Sequence, residues 1–195
     1  MKKALFILID NFSDWECGYL SSMLNESKEW EVYTASTKKS IKSVGGFTVK
    51  IDKILGSDFT NDLIVLVGSD DWDLQEKRIK FFIEKNFHKG AKIAAICGGV
   101  DFLAYNGFLN DYNHTGNSQK LWHDYKNYKP KKNFIKNNVV SDRNLVTANG
   151  TSPIDFTLSV LKMINFDNDY GIEKKLNLYK LGYYKFIDFY SKRDL

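Results

Sequence analysis

The chain alternates short, largely apolar runs with longer segments whose apolar residues recur at helical spacing. The runs are Ala4 to Ile9, Trp30 to Ala35, Asp62 to Gly68 and Ile93 to Ile96. Short continuous runs of this kind predict strands buried on both faces, as in a parallel sheet. After the first run, Trp15, Tyr19, Leu20, Met23 and Leu24 predict a helix capped by Ser13 or Asp14, with Glu16 and Cys17 in its first turn. Leu74, Ile79, Phe82 and Ile83 predict a second helix over residues 72–88, stopped at Gly90. Val100, Phe102, Leu103, Ala104 and Leu109 predict a third, closed by Asn106-Gly107. Pro153 opens a fourth that carries Phe156, Leu158, Val160, Leu161 and Ile164.

Two hairpins interrupt the alternation. One joins Ser40–Val44 to Phe47–Ile51 around Gly45-Gly46; the other joins Val139-Val140 to Leu145–Thr147 around Asp142-Arg143-Asn144. Residues 111–117 read as a polar loop. An aromatic-rich tail over about residues 173–190 reads as helical. Strands alternating with amphipathic helices predict an α/β fold, a mostly parallel central sheet with helices on both faces. A single domain over residues 1–195 is expected at this length. In open sheets of this kind ligands bind beyond the carboxyl ends of the strands. The loops there are 10–16, 68–71, 97–99 and 147–152, so Glu16, Gly68 and Cys97 are expected to converge.

The stretch Lys92–Gly99 carries the strongest chemical signal. A buried strand ends at Cys97 and turns directly into a helix, with Ala95 two residues before the cysteine and Gly99 two residues after it. This is the frame of a nucleophile elbow, in which small flanks let the chain reverse sharply and expose one reactive side chain. A sulfur at a helix N-terminus is favoured as thiolate, and the Gly98 N–H is placed to stabilise an oxyanion. A cysteine ending a buried strand is also a common packing residue, so the turn alone leaves both readings open.

Composition narrows the classes. Hydrophobic residues make up 43% of the chain, enough for a full core, and no apolar run is long enough to span a membrane. The apolar N-terminal run goes straight into Asp10, which favours a first strand over a signal segment; a cytoplasmic protein with free thiols is expected. Cys17 and Cys97 have no histidine at zinc-site spacing, and neither a metal nor another cofactor is expected. The net charge of +4 is modest, and the basic stretch 126–136 lacks a recognition motif, so no nucleic-acid partner is expected.

With these pieces in place the chain resembles the ThiJ/PfpI superfamily, relatives of the class I glutamine amidotransferases. The matching stretches are Leu5 to Glu16, the strand ending at Gly68, Ala94–Gly99 and Leu145–Gly150. The segment His114–Ser118 is similar to a feature of the bacterial amidotransferase-like subgroup. The resemblance implies a flavodoxin-like fold, a Cys97 nucleophile, and Glu16 hydrogen-bonded beside its sulfur. It implies backbone N–H groups of Gly68, Ser69 and Gly98 around an oxyanion, and His114 as general base. Family members are described as peptidases, amidases, deglycases or glyoxalases, chaperones and oxidative-stress proteins, commonly as dimers. Several of them carry a histidine directly after the nucleophile, where this chain has Gly98.

Each candidate has a structural alternative. A first-turn glutamate such as Glu16 stabilises a helix N-terminus through the dipole. His88, beside Lys89-Gly90, suits a helix C-terminus, and His123 suits a surface. Cys17 reads as a packed helix cysteine. The reading that follows is a cysteine-dependent hydrolase or amidase acting on a small amide or carbonyl substrate, as a homodimer. The alternatives are a glyoxalase-like or deglycase-like enzyme, a thiol-based stress sensor, and a non-catalytic relative.

Overall fold

The computed structural model describes residues 1–56 and 59–191; the end of the expected 1–195 domain lies outside the described residues. Its strands are β1 (Lys2–Ile7), β2 (Trp30–Ser36), β3 (Ser40–Lys42), β4 (Thr48–Lys50), β5 (Lys53–Ile54), β6 (Leu63–Leu66), β7 (Lys92–Ile96), β8 (Val139–Asp142) and β9 (Leu145–Ala148). Its α-helices are α1 (Asp14–Glu26), α2 (Lys77–His88), α3 (Gly98–Tyr105), α4 (Pro153–Met163), α5 (Asp169–Leu181) and α6 (Tyr183–Tyr190). Seven strands form the central sheet in the order β5-β2-β1-β6-β7-β9-β8. All neighbours are parallel except β8, which returns antiparallel to β9 through the predicted hairpin. β3 and β4 make the other predicted hairpin as a separate antiparallel pair.

The two-residue period of the strands sorts their side chains into two cores. Ala4, Phe6, Leu63, Val65, Ala94, Ile96, Val146 and Ala148 face α1, α4 and α5, meeting Leu20, Leu24, Phe156, Val160 and Leu176. Leu5, Ile7, Ile64, Leu66, Ile93, Ala95 and Leu145 face α2 and α3, meeting Ile79, Phe82, Ile83, Phe102 and Leu103. This is the three-layer arrangement expected from continuous apolar runs, and it puts the ends of β1, β6, β7 and β9 side by side.

Three details depart from the pattern reading. The buried stripe of α1 is Glu16, Leu20 and Leu24, while Trp15 is 54% exposed. A carboxylate therefore occupies the position an apolar residue would normally take. α2 begins at Lys77, after residue 72: the Asp73 side chain accepts from the Gln75 N–H, and Trp72 turns inward to donate its indole N–H to the Val67 carbonyl. That local bonding competes with the helix until Glu76 caps it by accepting from Arg78 N–H. The tail is two helices, broken at Gly182, whose φ of 76° interrupts the helical backbone.

Residues 111–117 form the expected polar loop, exposed at Asp111 and Asn117 but turned inward at its middle. His114 and Thr115 are fully buried. The His114 N–H donates to the Asn133 carbonyl and the His114 carbonyl accepts from the Ile135 N–H. The Thr115 N–H donates to the Thr147 hydroxyl on β9, and the Thr115 hydroxyl donates to the Asn137 carbonyl. The segment is thereby fastened next to the end of β9.

Candidate active site

Cys97 ends β7 with φ 55° and ψ −129°, a conformation that costs a non-glycine residue on the order of 1–3 kcal/mol. Glycine makes the reversal possible. A Cβ on Gly98 would lie 2.1 Å from the Ser69 carbonyl oxygen, and one on Gly99 would lie 2.6 Å from the Leu66 carbonyl oxygen. The Cys97 N–H donates to the Ala148 carbonyl at 3.0 Å and its own carbonyl accepts from Val100 at 2.9 Å, fixing the elbow to β9 and to α3. Cys97 itself is half-buried.

Glu16 comes to the elbow from α1 and is only 2% exposed. Two stitched loops hold it there. The Ser13 N–H donates to the Gly68 carbonyl at 2.9 Å, and the Ser69 hydroxyl donates to the Asp10 carbonyl at 2.7 Å. The Gly68 N–H then donates to Oε2 of Glu16 at 2.9 Å. A Cβ on Gly68 would lie 2.1 Å from that oxygen and 2.5 Å from the Cys97 Cβ. One on Gly150 would lie 2.9 Å from the Cys97 sulfur and 3.0 Å from Oε1 of Glu16. Two glycines thus leave the space in which carboxyl and sulfur meet.

Burial pushes the Glu16 carboxyl up to about 7, and the Asp70 charge adds to the rise. The Gly68 N–H and hydrogen bonds with the Cys97 and Ser13 side chains pull the other way. Burial likewise pushes the Cys97 thiol up, against hydrogen bonding from Asn117 and the Gly98 N–H; the Glu16 charge raises it further. The helix N-terminus alone would favour a thiolate. Burial and the adjacent carboxylate outweigh it, so the pair rests as a thiol beside a carboxylate once Glu16 is ionised.

The remaining expected residues need correction. Both ring nitrogens of His114 are committed away from the sulfur: Nδ1 lies 2.7 Å from the Tyr112 carbonyl and Nε2 lies 2.7 Å from the Tyr128 hydroxyl. The carbonyl requires a proton on Nδ1, so Nε2 accepts from the hydroxyl and the ring is neutral. Burial lowers its pKa further. His114 is a packing hub, its ring against Trp122, Tyr128 and Phe134, with no nitrogen left to act as a base on Cys97. Gly68 is also not a free oxyanion donor, because Glu16 takes its N–H. The Ser69 N–H has no acceptor among the described residues, and Gly98 keeps its N–H toward the sulfur.

Pattern reading missed Asn117 and Gly150. The Asn117 Nδ2 donates to the Cys97 sulfur at 3.3 Å, and its Oδ1 accepts from the Gly150 N–H at 2.9 Å. The signals were faint. Asn117 lies within the His114–Ser118 segment, and Gly150 lies in the 147–152 loop at the carboxyl end of β9.

The match to known proteins follows the same elements. A family model described as the DJ-1/PfpI family matches residues 2–163, from β1 through α4. The chain belongs to the DJ-1/PfpI family. It is 48% identical over 192 residues to a Bacillus subtilis protein named uncharacterized protease YdeA, covering 98% of each chain. It is 35% identical over 184 residues to uncharacterized protease YoaZ of the same organism, covering 84% of each. The crystal structure of a thiJ/pfpI family protein from Bacillus anthracis aligns with a TM-score of 0.86 at 31% identity, over 96% of both chains. A DJ-1 superfamily protein of Agrobacterium tumefaciens shares the fold, with a TM-score of 0.84 at 24% identity over 92% of this chain and 97% of its own.

Outside the elbow, this DJ-1/PfpI chain keeps its other candidates structural. Cys17 packs against the α1–α4 core, its sulfur 3.6 Å from the Asp14 carbonyl, and burial pushes its thiol up to about 11. His88 is exposed at the end of α2, and exposed His123 lies 2.8 Å from Asp124. Among the described residues no His, Cys, Asp and Glu side chains cluster as metal ligands, and no helix is long and apolar enough to cross a membrane.

Proposed function

We propose that the protein is a cysteine-dependent hydrolase of small carbonyl compounds, in which Cys97 is the nucleophile and Glu16 carries the proton. The observation that supports this reading is the meeting of Glu16 and Cys97 in the gap left by Gly68 and Gly150. A carboxyl poised near neutrality can both take and return a proton at working pH. The thiol proton passes to the Glu16 carboxylate as the sulfur forms a bond to the carbonyl carbon, and the C=O π pair moves onto oxygen. When the oxyanion collapses, the bond to the leaving amine or alcohol breaks and Glu16 returns the proton to it. Water then attacks the thioester, with Glu16 accepting its proton; the second oxyanion collapses, the carbon–sulfur bond breaks to release the acid, and Glu16 returns the proton to the Cys97 sulfur. The names of the two Bacillus subtilis relatives are in keeping with hydrolysis.

A second reading rests on the engagement of both His114 nitrogens elsewhere. Without an imidazole at the sulfur, addition to a small aldehyde is the simpler chemistry. The thiol proton passes to Glu16 as sulfur bonds to the aldehyde carbon, then moves from Glu16 to the oxyanion; the product is a hemithioacetal and no leaving group has to be expelled. The readings separate in an assay of wild type, Cys97→Ala and Glu16→Gln with p-nitrophenyl acetate, an aminocoumarin amide and methylglyoxal. Ester or amide turnover lost in both variants supports the hydrolase. Loss confined to methylglyoxal consumption supports the aldehyde reading, and equal rates in all three proteins contradict both.

We also propose a homodimer. Tyr183, Tyr184 and Ile187 on α6 and Tyr179 on α5 are all exposed, and the Tyr179 ring meets Tyr19 on α1 with centroids 4.9 Å apart. This many large apolar and aromatic side chains exposed on two successive helices is what supports an interaction face there.

A further inference from the structure

Of the three backbone donors expected around the oxyanion, the Gly68 N–H is spent on Glu16 at 2.9 Å, which leaves those of Ser69 and Gly98. The amide of Asn117 is the side-chain donor that reaches the sulfur. Its orientation is fixed by chemistry: a backbone N–H can only donate, so the Gly150 N–H at 2.9 Å must meet Oδ1, which turns Nδ2 to the sulfur at 3.3 Å. An amide nitrogen carries two hydrogens. One is directed at the sulfur, and the second has no acceptor among the described residues.

The support beneath Asn117 is rigid. The Thr115 N–H is tied to the Thr147 hydroxyl on β9 at 2.9 Å. Gly116 lies so close to the Trp122 ring that a Cβ there would approach it to 2.8 Å. The indole N–H of Trp122 is in turn held by Asp101 on α3, the helix that starts at the elbow. Asn117 itself is exposed, and Cys97 is only half-buried.

We infer that Asn117 is a catalytic residue whose side-chain N–H, together with the backbone N–H of Gly98, binds the oxyanion formed when Cys97 attacks a carbonyl. The inference rests on the hydrolase reading above and adds a side-chain donor to it. One bond from sulfur to carbon and one from carbon to oxygen place the developing oxyanion nearer to the sulfur than Nδ2 now stands. The N–H that reaches the sulfur therefore meets the oxyanion after a small tilt, while Oδ1 stays on Gly150. The donor is neutral and preorganised, and it strengthens only as charge develops on oxygen. That is the condition for lowering the barrier instead of merely binding the substrate.

The test compares Asn117→Asp and Asn117→Ala with wild type and Cys97→Ala. Asp keeps an acceptor for the Gly150 N–H and removes the donor, so it separates oxyanion binding from simple bracing of the loop. Turnover of p-nitrophenyl acetate is read as kcat and KM, each at the variant's own pH plateau. Alkylation of Cys97 by iodoacetamide, a displacement at a saturated carbon that creates no oxyanion, is read as the limiting rate at each variant's own high-pH plateau. The expected result is a loss of about 100-fold or more in kcat in both Asn117 variants. KM should change little, and alkylation should stay within about threefold of wild type. Wild-type kcat in Asn117→Asp would overturn the inference and leave Asn117 a brace. Turnover and alkylation falling by the same factor would also overturn it, since Asn117 would then act through the position of the sulfur. Wild type no faster than Cys97→Ala would remove the hydrolase reading itself, and the inference with it.

Discussion

The backbone N–H of Gly68 donates to Oε2 of Glu16 across 2.9 Å, linking the end of β6 to the first turn of α1. The bond holds a carboxyl group inside the fold, against the sulfur of Cys97. It also removes Gly68 as an oxyanion donor. Several measurable consequences come from this arrangement.

Glu16 makes stability depend on pH. Its carboxyl titrates near 4.5 when unfolded and about 7 when folded, so the native state holds the extra proton between those values. The contribution is fully present below pH 4.5 and is lost as pH rises through 7, by on the order of 3 kcal/mol. Glu16→Gln keeps an acceptor for Gly68 and has no charge to bury. Denaturant unfolding at pH 5 and pH 8 should show Glu16→Gln gaining on wild type by most of that amount at pH 8. An equal difference at both values would mean that the carboxyl is not buried as described.

His114→Ala should behave as a core lesion. It leaves the Tyr128 hydroxyl without its acceptor and opens a gap among Trp122, Tyr128 and Phe134, at a cost of about 2–4 kcal/mol. The inflection of Cys97 reactivity with pH should stay where it is in wild type. If His114 were the base on the sulfur, that inflection would move or vanish in the variant while the fold lost little stability.

The two glycines around the sulfur should fail differently. Ala at position 150 would put its Cβ 2.9 Å from the sulfur and 3.0 Å from Oε1 of Glu16. Alkylation should slow by about tenfold or more while stability changes by about 1 kcal/mol. Ala at position 68 would overlap Oε2 of Glu16 at 2.1 Å and force the carboxyl out. The pH dependence of Cys97 reactivity should then match that of Glu16→Gln. Titrations of the two variants with iodoacetamide, followed by intact mass, check both outcomes.

If the α6 face docks a second copy, Tyr184→Lys with Ile187→Glu should convert a dimer into a monomer. Light scattering after size exclusion reads the change directly. A mass unchanged from wild type would place the contact elsewhere.

Much of this arrangement was legible in the sequence. Continuous apolar runs defined the parallel strands, and the small-x-Cys-Gly-Gly frame located the elbow. Placing β-strand ends together brought Glu16, Gly68 and Cys97 to one place without a motif linking them. The roles around the sulfur were less visible, because they depend on which hydrogen bonds are already taken. Nothing local to Gly68 says that its N–H is committed to a residue 52 positions earlier. The base role of His114 came from the family resemblance. Its burial depends on Tyr128 and Phe134, beyond any local pattern. Asn117 carried no reactive group to draw notice, although it is the side chain that meets the sulfur. Trp15 was assigned inward by its hydrophobicity, yet the chemistry at the elbow needed the next position, Glu16, to face in.

The most direct measurement is the rate of Cys97 alkylation by iodoacetamide against pH, in wild type and Glu16→Gln, with Cys17→Ser as the common background. Coupling of the thiol to a carboxyl that titrates at about 7 should give wild type an inflection near that pH. Glu16→Gln should lose this inflection and keep a single rise at higher pH. Superimposable profiles would contradict the pairing of Glu16 with Cys97, and with it the proposed route of the proton.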